Sequence, residues 1–510
     1  MSTTQNTPIL VGVGQVRAVW AGDDANTAPS PLSLATEASR VALADAGATT
    51  ALEPHIDVVA VVRTNADSIP GGKHPFGRCD NPPHALAARL GISPARAIYT
   101  DLGGDTPQSL VNEFSEAIFA GQCRMALLAG GEAVAAFKQA ERNSIALDWN
   151  QAAEGGFEDR NTLDILMSDY ELASGFGYPT WVYPLFDNAL RARNGHDRAT
   201  HVANMSELFS GFSKVAAANP YAQFPKERSA DFLARPCDAN YRVADPYLKW
   251  HVAQDAVNQG AAVVVTSVGV ARELGIPQDK WVYLHGYARA KDKMVSERAD
   301  LSRSVAMEKA VGLALESSGK TAADIDHFDL YSCFPSAVFF GAEALAVDWR
   351  EQVLTQTGGL PFFGGPGNNY SMHGIASMVE RLRQDRGSFG LVLANGGFIS
   401  KEAIGVYSTQ PPKQWAPVSS DGIQAEIDAQ VSPALLDEAC QGIVETYTVV
   451  FRRGEPNFAT VVARVGQARV IARTASGDRA AAASFLASDP IGKQVVVVKT
   501  DGRRSVQGLV

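Results

Sequence analysis

The sequence predicts an α/β protein built from one layered unit used twice, with a segment inserted in the first copy and a small β domain at the C-terminal end. Three observations carry this. Residues 33–60, SLATEASRVALADAGATTALEPHIDVVA, and residues 305–332, VAMEKAVGLALESSGKTAADIDHFDLYS, both pass from an apolar pattern of helical period to strand-like residues. Each helix ends at a glycine, Gly47 or Gly319, as suits a left-handed cap, and an aspartate, Asp57 or Asp329, follows ten residues later. Residues 98–131 and 361–397 then share a second pattern of strand, double glycine, helix, and strand ending in Gly-Gly. The glycine pairs are Gly103–Gly104 with Gly130–Gly131, and Gly364–Gly365 with Gly396–Gly397. Two units repeated in the same order indicate internal duplication, and their alternation of strand and helix favours helices covering mostly parallel sheets.

In chain order, residues 1–149 and 259–275 form the first half, the latter opening on the strand-like GAAVVVTS. Between them, 150–258 is rich in aromatics and turns (GFGYPTWVYPLF, ANPYAQFP, ADPYLKWH) and reads as an inserted loop or lid, with a helix over 198–217. Residues 276–408 form the second half. Residues 409–421, within STQPPKQWAPVSSD, are a linker by composition. Residues 422–510 hold four short β-like runs with one helix, DRAAAASFLA, between the last two, which suggests an OB-like β-barrel.

The composition excludes several classes. With 510 residues, 46% of them hydrophobic, the chain can bury sizeable cores, and its net charge of −10 argues against nucleic-acid and anionic-membrane partners. The terminal barrel offers Arg452, Arg453, Arg503 and Arg504 but little aromatic interleaving, so no nucleic acid is expected there. Five cysteines, none in a CxxC pair, favour reduced thiols in a cytoplasmic protein, and neither they nor the histidines have metal-ligand spacing. No signal peptide or membrane span is read.

LYSCFPSAV, residues 330–338, places a thiol at Cys333 where a strand stops, and Pro335 enforces the stop. The turn GGLPFFGGPGNNYSMHG, from Gly358, carries little side-chain bulk before a helix. On these motifs, and over roughly 5–408, the chain resembles the thiolase superfamily; with the added terminal barrel it resembles the type 1 thiolase-like proteins, usually labelled acetyl-CoA acetyltransferases. The resemblance implies the duplicated αβαβα layered fold and an acyltransferase acting on acyl-CoA thioesters in lipid metabolism. It implies coenzyme A as part of the substrate rather than a bound cofactor, and the homodimer that thiolase halves usually make, unless the barrel blocks that contact.

The departures bear on the chemistry. Gly103, in DLGGDTPQ, stands where a thiolase has its nucleophilic cysteine, Gly365 stands for the usual histidine, and Leu393 and Ala394 for the second cysteine. What remains near the second-half strand ends is Cys333, Tyr331, His373, Asn368, Asn369, Tyr370 and Asn395. The expected catalytic set is Cys333, with His373 taking the thiol proton, and Tyr331. The backbone of Gly364 and Gly365, with Asn368, Asn369 and Asn395, is expected to hold the thioester oxygen. Lys214, Lys226, Arg228, Arg242 and Lys249 of the insertion are candidates for CoA phosphates. The alternatives are a carbon–carbon lyase of retro-aldol type on a β-hydroxyacyl-CoA, with Tyr331 and Tyr370 moving protons, and a non-catalytic acyl-CoA-binding protein.

Overall fold

A computed structural model describes residues 4–69, 71–161, 167–500 and 502–509; residues 162–166 of the expected insertion lie outside this set. Ten strands join in one sheet. The first half supplies Glu158–Asp159, Arg96–Tyr99, Val58–Val61, Met125–Ala133, Asn258–Ser267 and Pro8–Arg17, in that spatial order. The second supplies Val282–Lys291, Lys401–Ser408, Phe389–Gly396 and His327–Leu330. The first strand of each half meets at the centre, where Ile9 pairs Tyr283 and Leu10 pairs Val282 in antiparallel register. The two copies are thus related about the middle of the sheet.

The layering follows from two-sided burial. Along Val58–Val61 and into Val62, residues alternate between two cores: Val58, Ala60 and Val62 face one, Val59 and Val61 the other. A strand covered on both faces reads as a continuous apolar run, as VVAVV does. The inner core holds the helices Thr106–Phe119 and Tyr370–Gln384, one from each half, and each touches strands of both halves. The outer faces carry Pro31–Asp45 in the first half and Val305–Ser318 in the second. Pro31–Asp45 starts at a reciprocal cap between Ser30 and Ser33, and Val305–Ser318 ends on Gly319 in the left-handed region. These outer helices sit unusually close to the sheet. A Cβ on Gly12 or Gly14 would overlap the carbonyls of Ala42 and Ala38, and one on Gly286 would overlap that of Ala314.

Two expectations about the repeat need correction. The structural counterpart of Asp57 is Asp326, not Asp329. The carboxylate of Asp57 accepts the Arg124 N–H at 2.6 Å, just as that of Asp326 accepts the Phe389 N–H at 2.9 Å. Asp329 instead binds the loop N–H groups of Gln356 and Thr357. The double glycines are also offset. Val62 N–H donates to the Ala129 carbonyl and Tyr331 N–H to that of Leu393, so Gly130–Gly131 align with Ala394–Asn395. Residues 361–363 form a turn, and the place of a further strand beside His327–Leu330 is taken by the Leu354 carbonyl, which accepts the Leu330 N–H.

The C-terminal β domain closes on itself. Cys440–Arg452 pairs Glu455–Val465, which pairs Ala468–Arg473. That strand pairs Arg503–Leu509 in parallel, and Gln494–Thr500 bridges back to Cys440–Arg452. The insertion is clamped to this domain rather than free as a lid. Ala244 pairs Val450, Asn188 donates to the Tyr447 carbonyl, and the buried Arg191 guanidinium pairs Asp489 at 2.7 Å. Among the described residues no helix is long and apolar enough to cross a membrane.

Candidate functional site

The strands His327–Leu330 and Phe389–Gly396 run in parallel and end side by side, so Tyr331, Cys333 and Asn395 emerge at one corner. Pro335 then opens the helix Pro335–Leu345, where its missing N–H costs nothing. The Asn395 amide points its N–H at the Cys333 sulfur, 3.9 Å away, and at the Tyr183 hydroxyl, 3.1 Å away. Tyr183 comes from the insertion helix Pro179–Arg193 and donates to the Gly397 carbonyl at 2.9 Å. Cys333 is only 8% exposed, and burial pushes its thiol up to about 12.

The expected Cys333–His373 pair does not form. His373, four residues into Tyr370–Gln384, faces the opposite half: its Nδ1 meets Gln15 Oε1 at 2.9 Å and its ring lies edge-on to Phe363. Its Nε2 has no partner among the described residues, and burial without a counter-charge holds the imidazole down at about 3. It is a neutral packing histidine of the central layer.

Three N–H groups of the glycine turn are already taken and are not free for an oxyanion. Gly365 N–H donates to the Gln254 carbonyl, Gly367 N–H to that of Gly365, and Asn369 N–H to that of Pro366. Gly364 adopts φ +116°, a backbone conformation that favours glycine, and a Cβ there would also meet Val257 at 2.6 Å. Asn368 ties the halves together: it accepts the Gly103 N–H and donates to the Arg63 carbonyl and the Ser68 hydroxyl. Asn369 is buried against Gly130, with neither side-chain atom hydrogen-bonded. The Tyr370 and Thr357 hydroxyls hydrogen-bond to each other at 2.6 Å. Among the insertion cations, Arg228 is buried on the Trp250 ring, 3.6 Å from its centre, and is therefore no free phosphate ligand.

Beside the expected Tyr331 and Asn395, the structure supplies the corner with Asp105, Glu402 and Arg298, which the sequence reading passed over. The Tyr331 hydroxyl lies against Gly104, where a Cβ would overlap it, and makes no hydrogen bond among the described residues. Asp105 follows directly. As the residue before the helix Thr106–Phe119 it reads as an ordinary cap, yet its side chain caps nothing. Its Oδ2 accepts from the Ser109 hydroxyl at 3.5 Å, its Oδ1 packs on Gly103 and Gly396 with no hydrogen-bond partner among the described residues, and burial pushes its carboxyl up to about 6, opposed by the Lys401 ammonium. Glu402 pairs Asn395 across the ladder. Neither of its oxygens has a partner among the described residues, and burial beside Asp105 and Asp292 raises its carboxyl well above the usual range, which favours the neutral form. Asn395 Oδ1 and one Nη of the buried Arg298 are likewise unpartnered.

Leaving a buried polar atom unpaired costs about 1–3 kcal/mol, so native proteins keep few. Their concentration where the two halves meet marks a place built to receive polar atoms. Chemically it offers a base poised near neutrality, a phenol donor and a carboxyl held neutral. A signal existed in KE of residues 401–402, two charges entering an otherwise apolar strand. Among the described residues no group of three or more His, Cys, Asp or Glu is placed to hold a metal ion.

Residues 422–503 match the family described as "Thiolase-like protein type 1 additional C-terminal domain". A search of the solved structures finds a monomeric SCP2-thiolase like protein type 1 from Mycobacterium smegmatis. It is 37% identical, with TM-score 0.84, over 99% of this chain and 100% of that one. An Ltp2–ChsH2(DUF35) aldolase matches at 18% identity and TM-score 0.56, over 79% of this chain and 98% of that one. The dimeric peroxisomal thiolase of Saccharomyces cerevisiae matches at 14% and 0.58, over 80% and 99%. These last two likenesses show the shared fold. A search of the curated proteins returned no match.

Proposed function

The chain belongs to the type 1 SCP2-thiolase-like proteins, and from that premise we propose that it makes or breaks a carbon–carbon bond beside an acyl-CoA thioester by proton transfer, without an acylated cysteine. The observation that carries this is the convergence, at the seam of the two halves, of Asp105 Oδ1 and both Glu402 oxygens, which have no hydrogen-bond partner among the described residues, with the Tyr331 hydroxyl lying against Gly104. The acyltransferase expectation rests on fold likeness. A Cys333 acyl-enzyme lacks support, because burial pushes the thiol up to about 12 and no base stands beside it, which keeps the reactive thiolate scarce at neutral pH.

In the cleavage direction the substrate is a β-hydroxyacyl thioester. The Asp105 carboxylate takes the hydroxyl proton, and the carbon–carbon electron pair passes to the acyl fragment. An aldehyde or ketone leaves, and a thioester enolate remains. The neutral Glu402 carboxyl and the free N–H of Arg298 meet the enolate oxygen. Tyr331 protonates the α-carbon, and the proton held on Asp105 restores the phenol. Tyr183, on the insertion helix, borders this corner through its bonds to Asn395 and Gly397. An aldolase built on the same fold supports the reading by analogy.

The test follows α-proton exchange of acetyl-CoA in D2O, with release of a carbonyl compound from β-hydroxyacyl-CoA thioesters read by mass spectrometry. Exchange that survives Cys333→Ala and is lost in Tyr331→Phe is the expected result. An acyl adduct on Cys333, or wild-type protein that exchanges nothing, rules it out.

A further inference from the structure

The first half has its own strand-end corner, and it is open. Val58–Val61 and Met125–Ala133 end side by side as their second-half counterparts do. The residues that follow, Val62, Thr64, Gly131 and Glu132, line a cavity of about 770 Å3, a size that suits a small organic ligand. We propose that this cavity is a second ligand site, taking a small amphipathic carboxylate with its apolar body on Phe76, Phe137 and Trp149 and its carboxylate at Glu132.

Glu132 is 3% exposed. One of its oxygens accepts the Asn65 N–H at 2.6 Å, and the other makes no hydrogen bond among the described residues. Such a side chain bordering a cavity is a donor or acceptor waiting for a ligand. Burial, reinforced by the carboxylates of Asp67 and Asp255, pushes it up to about 8, so near pH 7 it donates an O–H rather than repelling an anion. The indole N–H of Trp149 is a second buried donor with no partner among the described residues. Phe76 stands edge-on to both Phe137 and Trp149, with centroids 5.4 and 5.8 Å apart, and forms an apolar wall. Lys73, with no ion-pair partner among the described residues, and Arg78 stand at the exposed rim and favour an anion over a cation. Of the other carboxyl side chains that line the cavity, Asp67 is engaged by the Tyr99 hydroxyl, His74 and Arg78, and Asp148 accepts from Asn150. The site is independent of the proposed chemistry at Asp105.

Octanoate is the probe, with octanol and octylamine as controls, titrated calorimetrically into the full chain. Saturable one-to-one binding of octanoate at least about tenfold tighter than either control supports the site. So does a loss of about tenfold or more in both Ala66→Trp and Ala146→Trp, which fill the cavity from its exposed wall. Glu132→Gln keeps a neutral donor, so it retains octanoate binding above about pH 8, where the wild type loses it as the carboxyl ionises. Octanol binding as tightly as octanoate, equal affinity in both filled variants, or no saturation in the wild type overturns the proposal. Because Asp105→Asn leaves octanoate binding untouched, failure here is separable from failure of the lyase reading.

Discussion

The two strand-end corners are the same piece of architecture with opposite contents. Register aligns Tyr331 with Val62, Cys333 with Thr64, Asn395 with Gly131 and Gly396 with Glu132. In the second half the corner is bordered by the insertion helix and crowded with polar atoms that have no partner among the described residues. In the first, small residues and a single buried carboxyl leave an open cavity. Duplication preserves the crevice at the ends of parallel strands, whereas the side chains that fill it are free to diverge. A carboxyl serves each corner but reaches it differently: Glu132 belongs to the first half's own strand, whereas Asp105 crosses the seam from the first half to serve the second.

The largest effect that separates the corners is expected from Asp105→Asn. If the second-half corner is the reactive one, α-proton exchange falls by about 10²–10⁴-fold, while the amide, carrying no buried charge, makes the fold more stable above pH 6. Exchange at the wild-type rate would remove Asp105 from the chemistry.

Next in size is the pH response of the open corner. Glu132 has its folded pKa raised from 4.5 to about 8, so its stability contribution is fully present below the unfolded value and is lost as pH rises through about 8. Glu132→Gln is therefore expected to be more stable than the wild type at alkaline pH, by on the order of a few kcal/mol in denaturant unfolding. Parallel pH profiles for the two proteins would mean that the carboxyl is solvated.

His373 gives a smaller effect of opposite sign. Its folded pKa is depressed from 6.5 to about 3, so its contribution is present above the unfolded value and is lost as pH falls through about 3. His373→Asn is expected to flatten acid unfolding in that window and to leave proton exchange unchanged; a large loss of exchange would return this imidazole to the reactive corner.

The smallest effect belongs to Cys333→Ala, about 1 kcal/mol of stability from a small cavity and a change in exchange of less than about threefold. Slow alkylation of the wild-type thiol by iodoacetamide near pH 8 checks the same point from the other side. Rapid labelling there, or an exchange rate that collapses in the variant, would restore the cysteine to the mechanism.

The sequence carried the duplication because periodicity and helix caps are local. Gly319 caps its helix as the spacing requires, and Pro335 opens the next one. It misassigned the register because Asp57 and Asp329 share a spacing from a glycine but not a place in the ladder, and the ladder is set by cross-strand hydrogen bonds. Tyr331 and Asn395 were found because they lie on strand ends. Asp105 was missed because an aspartate before Thr-Pro reads as a cap, and only the approach of Gly396 shows where it points.

By itself, then, the sequence determined a twice-used α/β layer, a terminal β domain and the strand ends at which side chains converge, since these follow from hydrophobic period, turn residues and caps. Only the tertiary structure decided that the sulfur stands apart from the imidazole, that the glycine turn is a tie between the halves, and that Asp105 and Glu402 share a buried seam. Partnership between residues hundreds of positions apart depends on how the two halves dock, and burial, which shifts their protonation, exists only once they have.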